Sequence, residues 1–434
     1  MDKSEIIAIL NDWNYWNKEI SGVKDRPLYD KKIAKFIDKD EIVVIKGIRR
    51  CGKSTLMLNQ IKTLIKSGVA KENILLVNLE DPRFLNHLDT GLLEDIKNTY
   101  LEYLNPSVKP YIFLDEIQNI PNWEKWVNKE YELKKSFITI TGSNSSMLSS
   151  EIATVLSGRY ISVDVYPLSF QEFIAFHNVT IQSKLDLVDK KIELNRYLEQ
   201  FIKYGGFPKT LEYQENEIKE LLTTYKDSIL LKDIVARFKL KNFHTLEEIA
   251  AFLLSNSGII QSITKLKNNF AISFDMARDY VEYLKKAYMV HEIKKFDYSL
   301  KKQNVNDKKY YGCDLGLCNI FRAPNLQTRG DDLETIVFLE LKRRGFELYY
   351  YKTSNDLECD FVVSFDNAIV ELLQVSKSVK DEKTLTREIA PFAKTIDELK
   401  LSSDIKCTII TEDNSSEIDG IEILNIQEFL ILHA

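Results

Sequence analysis

Residues 47–54 read Gly47-Ile48-Arg49-Arg50-Cys51-Gly52-Lys53-Ser54, and every fixed position of the pattern G-x-x-x-x-G-K-[ST] is filled. Each of those positions has a chemical duty. The two glycines let the backbone close around a phosphate with its N–H groups pointing inward. Lys53 can reach β- and γ-phosphates, and the Ser54 hydroxyl can ligate Mg²⁺. The flanks agree with this reading. Ile42-Val43-Val44-Ile45 is a short apolar run of the kind a buried strand uses, and Leu56, Leu58, Ile61, Leu64 and Ile65 fall at helical spacing. Strand, glycine loop and helix N-terminus together make an anion site. Gly47, Arg49, Arg50, Cys51, Gly52, Lys53, Ser54 and Thr55 are therefore expected to surround the phosphates of a nucleotide.

About sixty residues on, Tyr111-Ile112-Phe113-Leu114-Asp115-Glu116 is an apolar strand that ends in two carboxylates. At that distance from a phosphate loop, Asp115 is expected to hold Mg²⁺ together with Ser54. Glu116 is expected to polarise the water that attacks the γ-phosphate. Thr141-Gly142-Ser143-Asn144 follows the next apolar run. A small polar residue at that strand tip can sense the γ-phosphate, with Asn144 the first candidate and Ser143 the second. In Leu156-Ser157-Gly158-Arg159-Tyr160 an arginine stands just before a fifth strand. Arg159 either reaches a γ-phosphate as a finger, in its own subunit or a neighbour's within an oligomer, or makes a surface ion pair.

The 434 residues suggest about three domains, and 44% hydrophobic and 11% aromatic residues supply ample core. A net charge of −6 excludes no partner class, because an acidic whole can carry a basic face. Five cysteines without disulfide-like spacing fit a reduced compartment, and Cys313 and Cys318 have no second pair with which to bind zinc. No apolar run approaches the roughly 18 residues of a membrane span, and Met1-Asp2-Lys3-Ser4-Glu5 does not read as a signal peptide. The expectation is a cytoplasmic chain with no membrane partner.

The first 165 residues alternate strand and helix, the mark of a mostly parallel sheet. Strands are expected at 42–45, 74–79, 111–114, 137–141 and 160–165. The segment between the first and third is long enough for a crossover helix and an additional strand, as in P-loop ATPases that keep a catalytic Glu. Upstream, Trp13, Tyr15 and Trp16 lead into Arg26-Pro27-Leu28-Tyr29; these residues either pack or, at 26–29, contact adenine. Residues 166–235 read as a helical lid broken by Gly205-Gly206-Phe207-Pro208. Residues 236–309 read as three short helices and a hairpin, a winged helix-turn-helix. Between residues 262 and 309 stand eleven lysines and arginines against six acids. Such a basic wing suits double-stranded DNA, although many winged helices only join domains. From 310 to 434 the chain turns α/β. A helix carries Glu334 and Glu340, Glu358 and Asp360 open a strand, and Gln374-Val375-Ser376 lies on the next. Acids on a helix and a strand followed by E-x-K make a restriction-endonuclease-like constellation in which the acids bind metal. Here Gln374 and Ser376 stand where Glu and Lys should be, Lys377 is one residue out of phase, and Arg387 is a candidate migrated partner. Nuclease activity is not expected.

Arg49-Arg50 inside the loop, Asp115-Glu116-Ile117-Gln118, Pro167-Leu168-Ser169-Phe170 with Glu172-Phe173, Gly205-Gly206-Phe207-Pro208, Asp314-Leu315-Gly316 and Glu358-x-Asp360-Phe361-Val362 form a recurring set. In these the chain resembles the archaeal and bacterial AAA-type ATPases with a C-terminal domain of unknown function and nuclease-like fold. The resemblance implies ATP as the nucleotide and a winged-helix linker, and names no substrate. The full expectation is an α/β protein: a P-loop ATPase core with an additional strand (1–165), helical lid (166–235), winged helix (236–309) and nuclease-like α/β domain (310–434). It would be an ATP-hydrolysing, Mg²⁺-dependent switch or motor acting on DNA or a DNA-bound partner. The rival is a signalling switch that binds a protein partner without DNA contact.

Overall fold

The computed structural model describes residues 1–144, 155–240, 242–323 and 329–433, and the chain divides into two compact units, Met1–Val165 and Tyr166–Ala434. In the first unit the apolar runs become five parallel strands: β1 (Ile42–Lys46), β2 (Ile74–Asn78), β3 (Tyr111–Asp115), β4 (Phe137–Gly142) and β5 (Tyr160–Asp164). Their order across the sheet is β2-β3-β4-β1-β5. The Ile42-Val43-Val44-Ile45 run is buried throughout, as a strand covered on both faces must be. The segment between β1 and β3 holds a helix, Lys53–Lys66, and a strand, as expected. That strand is β2, which lies on the sheet edge, and the strand inserted between β1 and β3 is β4.

Trp13 and Trp16 find a structural use at that edge. Trp16 Nε1 donates to Ile74 O at 2.9 Å, and Asn14 exchanges hydrogen bonds with both the N–H and the carbonyl of Leu76. The N-terminal segment thereby satisfies backbone groups that a bare edge would expose. Trp13 Nε1 donates to Asp81 at 2.8 Å.

The second unit holds a nine-stranded mixed sheet. Its strands are β6 (Ile259–Gln261), β7 (Val290–Lys295), β8 (Lys308–Gly312), β9 (Glu347–Lys352), β10 (Glu358–Phe365), β11 (Ala368–Val375), β12 (Lys406–Thr411), β13 (Ser416–Ile418) and β14 (Ile421–Asn425). From residue 243 the order is helix Phe243–Ser255, β6, helix Ile263–Asn269, helix Phe274–Lys286, β7, helix Leu300–Val305 and β8. Ser262 and Ser273 cap the second and third helices by accepting from Lys265 N and Met276 N. The expected division at 309/310 falls inside β8. β7 pairs with both β8 and β9, so the hairpin and the C-terminal strands share one sheet.

Two of the recurring motifs are joints of this unit. Pro167-Leu168-Ser169-Phe170 leads into the helix Phe170–Phe176 through a capping box between Ser169 and Glu172. Asp314 caps the helix Leu315–Phe321 and also accepts from Gly206 N at 2.6 Å. Gly205 has φ +75°, and a Cβ there would lie 2.0 Å from Asp314 Oδ1. No other residue fits that position.

Candidate nucleotide site

The site forms at the carboxyl edge of the first unit's sheet, where parallel strands release their loops. Gly47 leaves β1 with φ +155°, and a Cβ on it would sit 2.1 Å from Val165 O. Arg50 (φ +71°) and Gly52 (φ +101°) both turn left-handed before the helix Lys53–Lys66 begins. A non-glycine residue in that region costs about 1–3 kcal/mol, a strain that suits a loop shaped for an anion. Cys51 is buried with its thiol donating to Val165 O at 3.3 Å, and burial pushes that thiol up. It locks the loop's back and does not face a ligand. Arg49 pairs with Glu80 at 2.8 Å, while Arg50, Ser54 and Thr55 are exposed.

Lys53, Asp115 and Glu116 converge. Lys53 Nζ donates to Ile48 O at 3.1 Å and lies 3.8 Å from Glu116 Oε1. The Ser54 hydroxyl stands near enough to the Asp115 carboxylate to favour its charged form, which brings the two groups expected to hold Mg²⁺ to one place. Both are hard oxygen donors of the sort that ion takes. Bound there, Mg²⁺ would neutralise phosphate charge. Burial, and then the neighbouring Glu116, push the Asp115 carboxyl above its ordinary value, a shift that a divalent cation would reverse. For Glu116 burial pushes upward too, but Lys53, the Gln118 amide and Arg49 outweigh it and hold the carboxyl below its usual range. Glu116 is thus ionised at neutral pH and able to accept a proton from water.

Two positioning groups escaped the reading of the sequence. Thr141 Oγ1, at the tip of β4, donates to Asp115 and accepts from Glu116 N at 2.9 Å, tying both carboxylates to one strand. Gln118 Nε2 donates to the Glu116 carboxylate and lies 3.4 Å from Ser143 Oγ. The signal was present in both cases. Thr141 precedes the sensor stretch, and Gln118 closes the Asp-Glu-x-Gln exit. Asn144 and Ser143 are fully buried beside this cluster's strand tip. Arg26, 2% exposed, donates from Nη1 to Cys51 O at 3.0 Å and stacks on Tyr29 at 4.5 Å. The 26–29 stretch therefore braces the phosphate loop from behind.

Arg159 is elsewhere. Its carbonyl accepts from Ile42 N, at the start of β1, whereas the phosphate loop leaves the other end. Five residues of strand, about 16 Å, separate it from its own loop. Its guanidinium pairs with Glu132 at 2.6 Å and donates to Val155 O at 2.7 Å. A finger acting on its own subunit's phosphate is excluded by that placement, which leaves the ion pair and the neighbour's site.

Residues 39–174 match the family described as an AAA domain. Residues 195–327 match a domain of unknown function, which lies upstream of where the resemblance placed such a domain. An uncharacterized protein of Methanocaldococcus jannaschii is 34% identical over 415 residues, covering 92% of this chain and 89% of that protein. An uncharacterized protein of Haemophilus influenzae is 33% identical over 417 residues, covering 94% and 98%. The solved structure of the Aeropyrum pernix ORC1 protein in complex with DNA aligns with 73% of this chain and 95% of its own at 10% identity. Its TM-score of 0.32 is too low to carry an argument. With the phosphate loop, the Asp115–Glu116 pair and relatives matched along nearly their whole length, the chain belongs to the family of these archaeal and bacterial proteins, headed by an AAA-type P-loop ATPase domain.

Proposed function

We propose that the chain is a Mg²⁺-dependent ATPase working as a nucleotide-driven switch or motor on DNA or a DNA-bound partner. The observation that carries hydrolysis is Glu116, buried, ionised and held between Lys53 and Gln118. When ATP enters, its phosphates compete for Lys53 and release the carboxylate to the attacking water. The DNA arm rests on the helix–strand–helix–helix–hairpin order of residues 243–312, which supports a winged-helix reading, and on exposed Lys265, Lys267 and Lys301. Lysines that neutralise phosphates make binding weaken steeply with salt. Reversal of Lys294, Lys301 and Lys302 to Glu is expected to weaken duplex binding in fluorescence anisotropy and to flatten its salt slope. Unchanged binding would refute the DNA arm.

A protein partner is the second reading, favoured by the surface of the same segment. Tyr298, Leu300 and Val305 between β7 and β8 are 71%, 74% and 78% exposed. The cations of helix Phe274–Lys286 are also largely matched by this chain's own acids, Arg278 by Asp275 and Asp279, Lys285 by Glu282 and Glu292.

A further inference from the structure

In the second unit a cavity of about 1010 Å³ has an acidic floor. Glu334 comes from the helix Arg329–Arg343, and Glu358 and Asp360 come from β10. These are acids that the sequence marked for a metal, with Gln374 and Ser376 in place of the Glu and Lys such a site needs. In the structure a cation reaches them from another strand. Lys309 of β8 is 2% exposed, and its Nζ lies 2.6 Å from Glu334 Oε1, 2.6 Å from Glu358 Oε1 and 3.7 Å from Asp360 Oδ1. Arg387, the other candidate, is turned to Glu388 at 2.6 Å.

The rest of the floor fixes this arrangement. Tyr311 OH donates to Glu334 Oε1 at 2.6 Å, and Val375 N donates to Asp360 Oδ2 at 2.9 Å. Gln374 bridges the acids' strand, accepting from Asp360 N at 2.6 Å and donating to Glu358 O at 3.1 Å. A neutral amide can make both bonds at once, and a carboxylate cannot. An ammonium has three donors for three converging carboxylates. A divalent ion would need the same oxygens at about 2.0–2.6 Å, and so would take the space of Nζ. Among the described residues no group of three or more His, Cys, Asp or Glu is placed to hold a metal ion. Metal and residues do not fit.

We propose that Lys309 is a built-in cation standing where a nuclease-type acid cluster would carry its metal, so that this cavity is held together without metal and does not cleave phosphodiesters. The charge is contributed by the chain itself, on a buried side chain that Glu334, Glu358 and Asp360 enclose.

The test is Mn²⁺ binding, followed by electron paramagnetic resonance on the full chain, in wild type, Asp360→Asn, Lys309→Ala and the double variant, with nucleotide absent. The ATPase site is silenced in all four by a Lys53→Ala, Asp115→Asn background, which keeps a failure here separate from a failure of the ATPase reading. Wild-type floor residues are expected to bind no Mn²⁺ that Asp360→Asn removes. Lys309→Ala is expected to gain one Mn²⁺ site at least about tenfold tighter, lost again when Asp360→Asn is added. Mn²⁺ should raise the Tm of Lys309→Ala and leave that of its parent unchanged. If Lys309→Ala does not fold, Lys309→Met, which keeps the stem, takes its place. Mn²⁺ bound by the wild-type floor and lost in Asp360→Asn would overturn the proposal. So would a folded Lys309 variant with no gain.

Discussion

Replacing Glu116 by Gln separates binding from chemistry in the nucleotide site. The side chain keeps its size and can still hydrogen-bond Gln118, but it loses the negative charge that accepts a proton from water. A positioned general base contributes about 10²–10⁴ in rate, which corresponds to about 3–5 kcal/mol of barrier. Affinity should move the other way or stay level. Glu116 Oε1 lies 3.8 Å from Lys53 Nζ, a gross attraction of about 4 kcal/mol at an effective dielectric near 20. ATP must compete with that attraction for the lysine. Removing the carboxylate charge frees Lys53 for phosphate, so the variant should bind ATP at least as tightly as wild type. Nucleotide affinity by calorimetry and phosphate release in a single turnover measure the two effects. Wild-type turnover in Glu116→Gln would refute the assigned base, and weaker binding would refute the competition between phosphate and carboxylate.

Lys53→Ala should abolish tight ATP binding in the same calorimetric assay, since Lys53 is the charge expected to meet the β- and γ-phosphates. Arg159→Ala should leave the turnover of dilute, monomeric protein unchanged; a loss of tenfold or more that appears only as concentration rises would place this arginine in a neighbour's site. Gly205→Ala should lower stability by about 1–3 kcal/mol in denaturant unfolding, because it combines a positive-φ strain with a clash on Asp314. Burial pushes the Asp314 carboxyl up to about 6, against the opposing pull of backbone N–H groups from Gly206, Leu317 and Gly316. The folded chain therefore holds this proton more tightly than the unfolded one, and its stabilising effect, complete below about pH 4, is lost as pH rises through 6. Asp314→Asn should flatten that part of the pH–stability curve.

The nucleotide site was largely legible in the residues, because its chemistry is local. Gly47, Gly52, Lys53 and Ser54 act within one turn of chain, and Asp115 and Glu116 sit together at one strand end. Thr141 and Gln118 were harder, since a threonine and a glutamine become meaningful only when β4 is known to lie beside β3. Arg159 was left open between a finger and an ion pair for a related reason. Its nearness to a strand was visible, but which end of the sheet it occupied depends on parallel pairing with β1. In the second unit, three short helices could be read from spacing, whereas the pairing of Lys294 and Lys295 with Tyr349 and Tyr350 spans over fifty residues and leaves no local mark. Lys309 looked like one more basic residue of a wing. Only the fold of β8 against the Glu334 helix and β10 makes it a counter-ion.

Strand β8 has a consequence for how such proteins diversify. It lies between β7 and β6, and through β7 it joins the six C-terminal strands β9 to β14 in one hydrogen-bonded sheet. Its lysine is also the ion that the acids of β10 close around. The hairpin module and the C-terminal region therefore cannot be exchanged between relatives as separate cassettes cut at residue 309. Any crossover there severs a strand and strands three carboxylates without their partner. Recombination that respects the molecule must carry residues 243 to 433 together, and new specificity has to come from loops, such as that between β7 and β8, rather than from swapping whole modules.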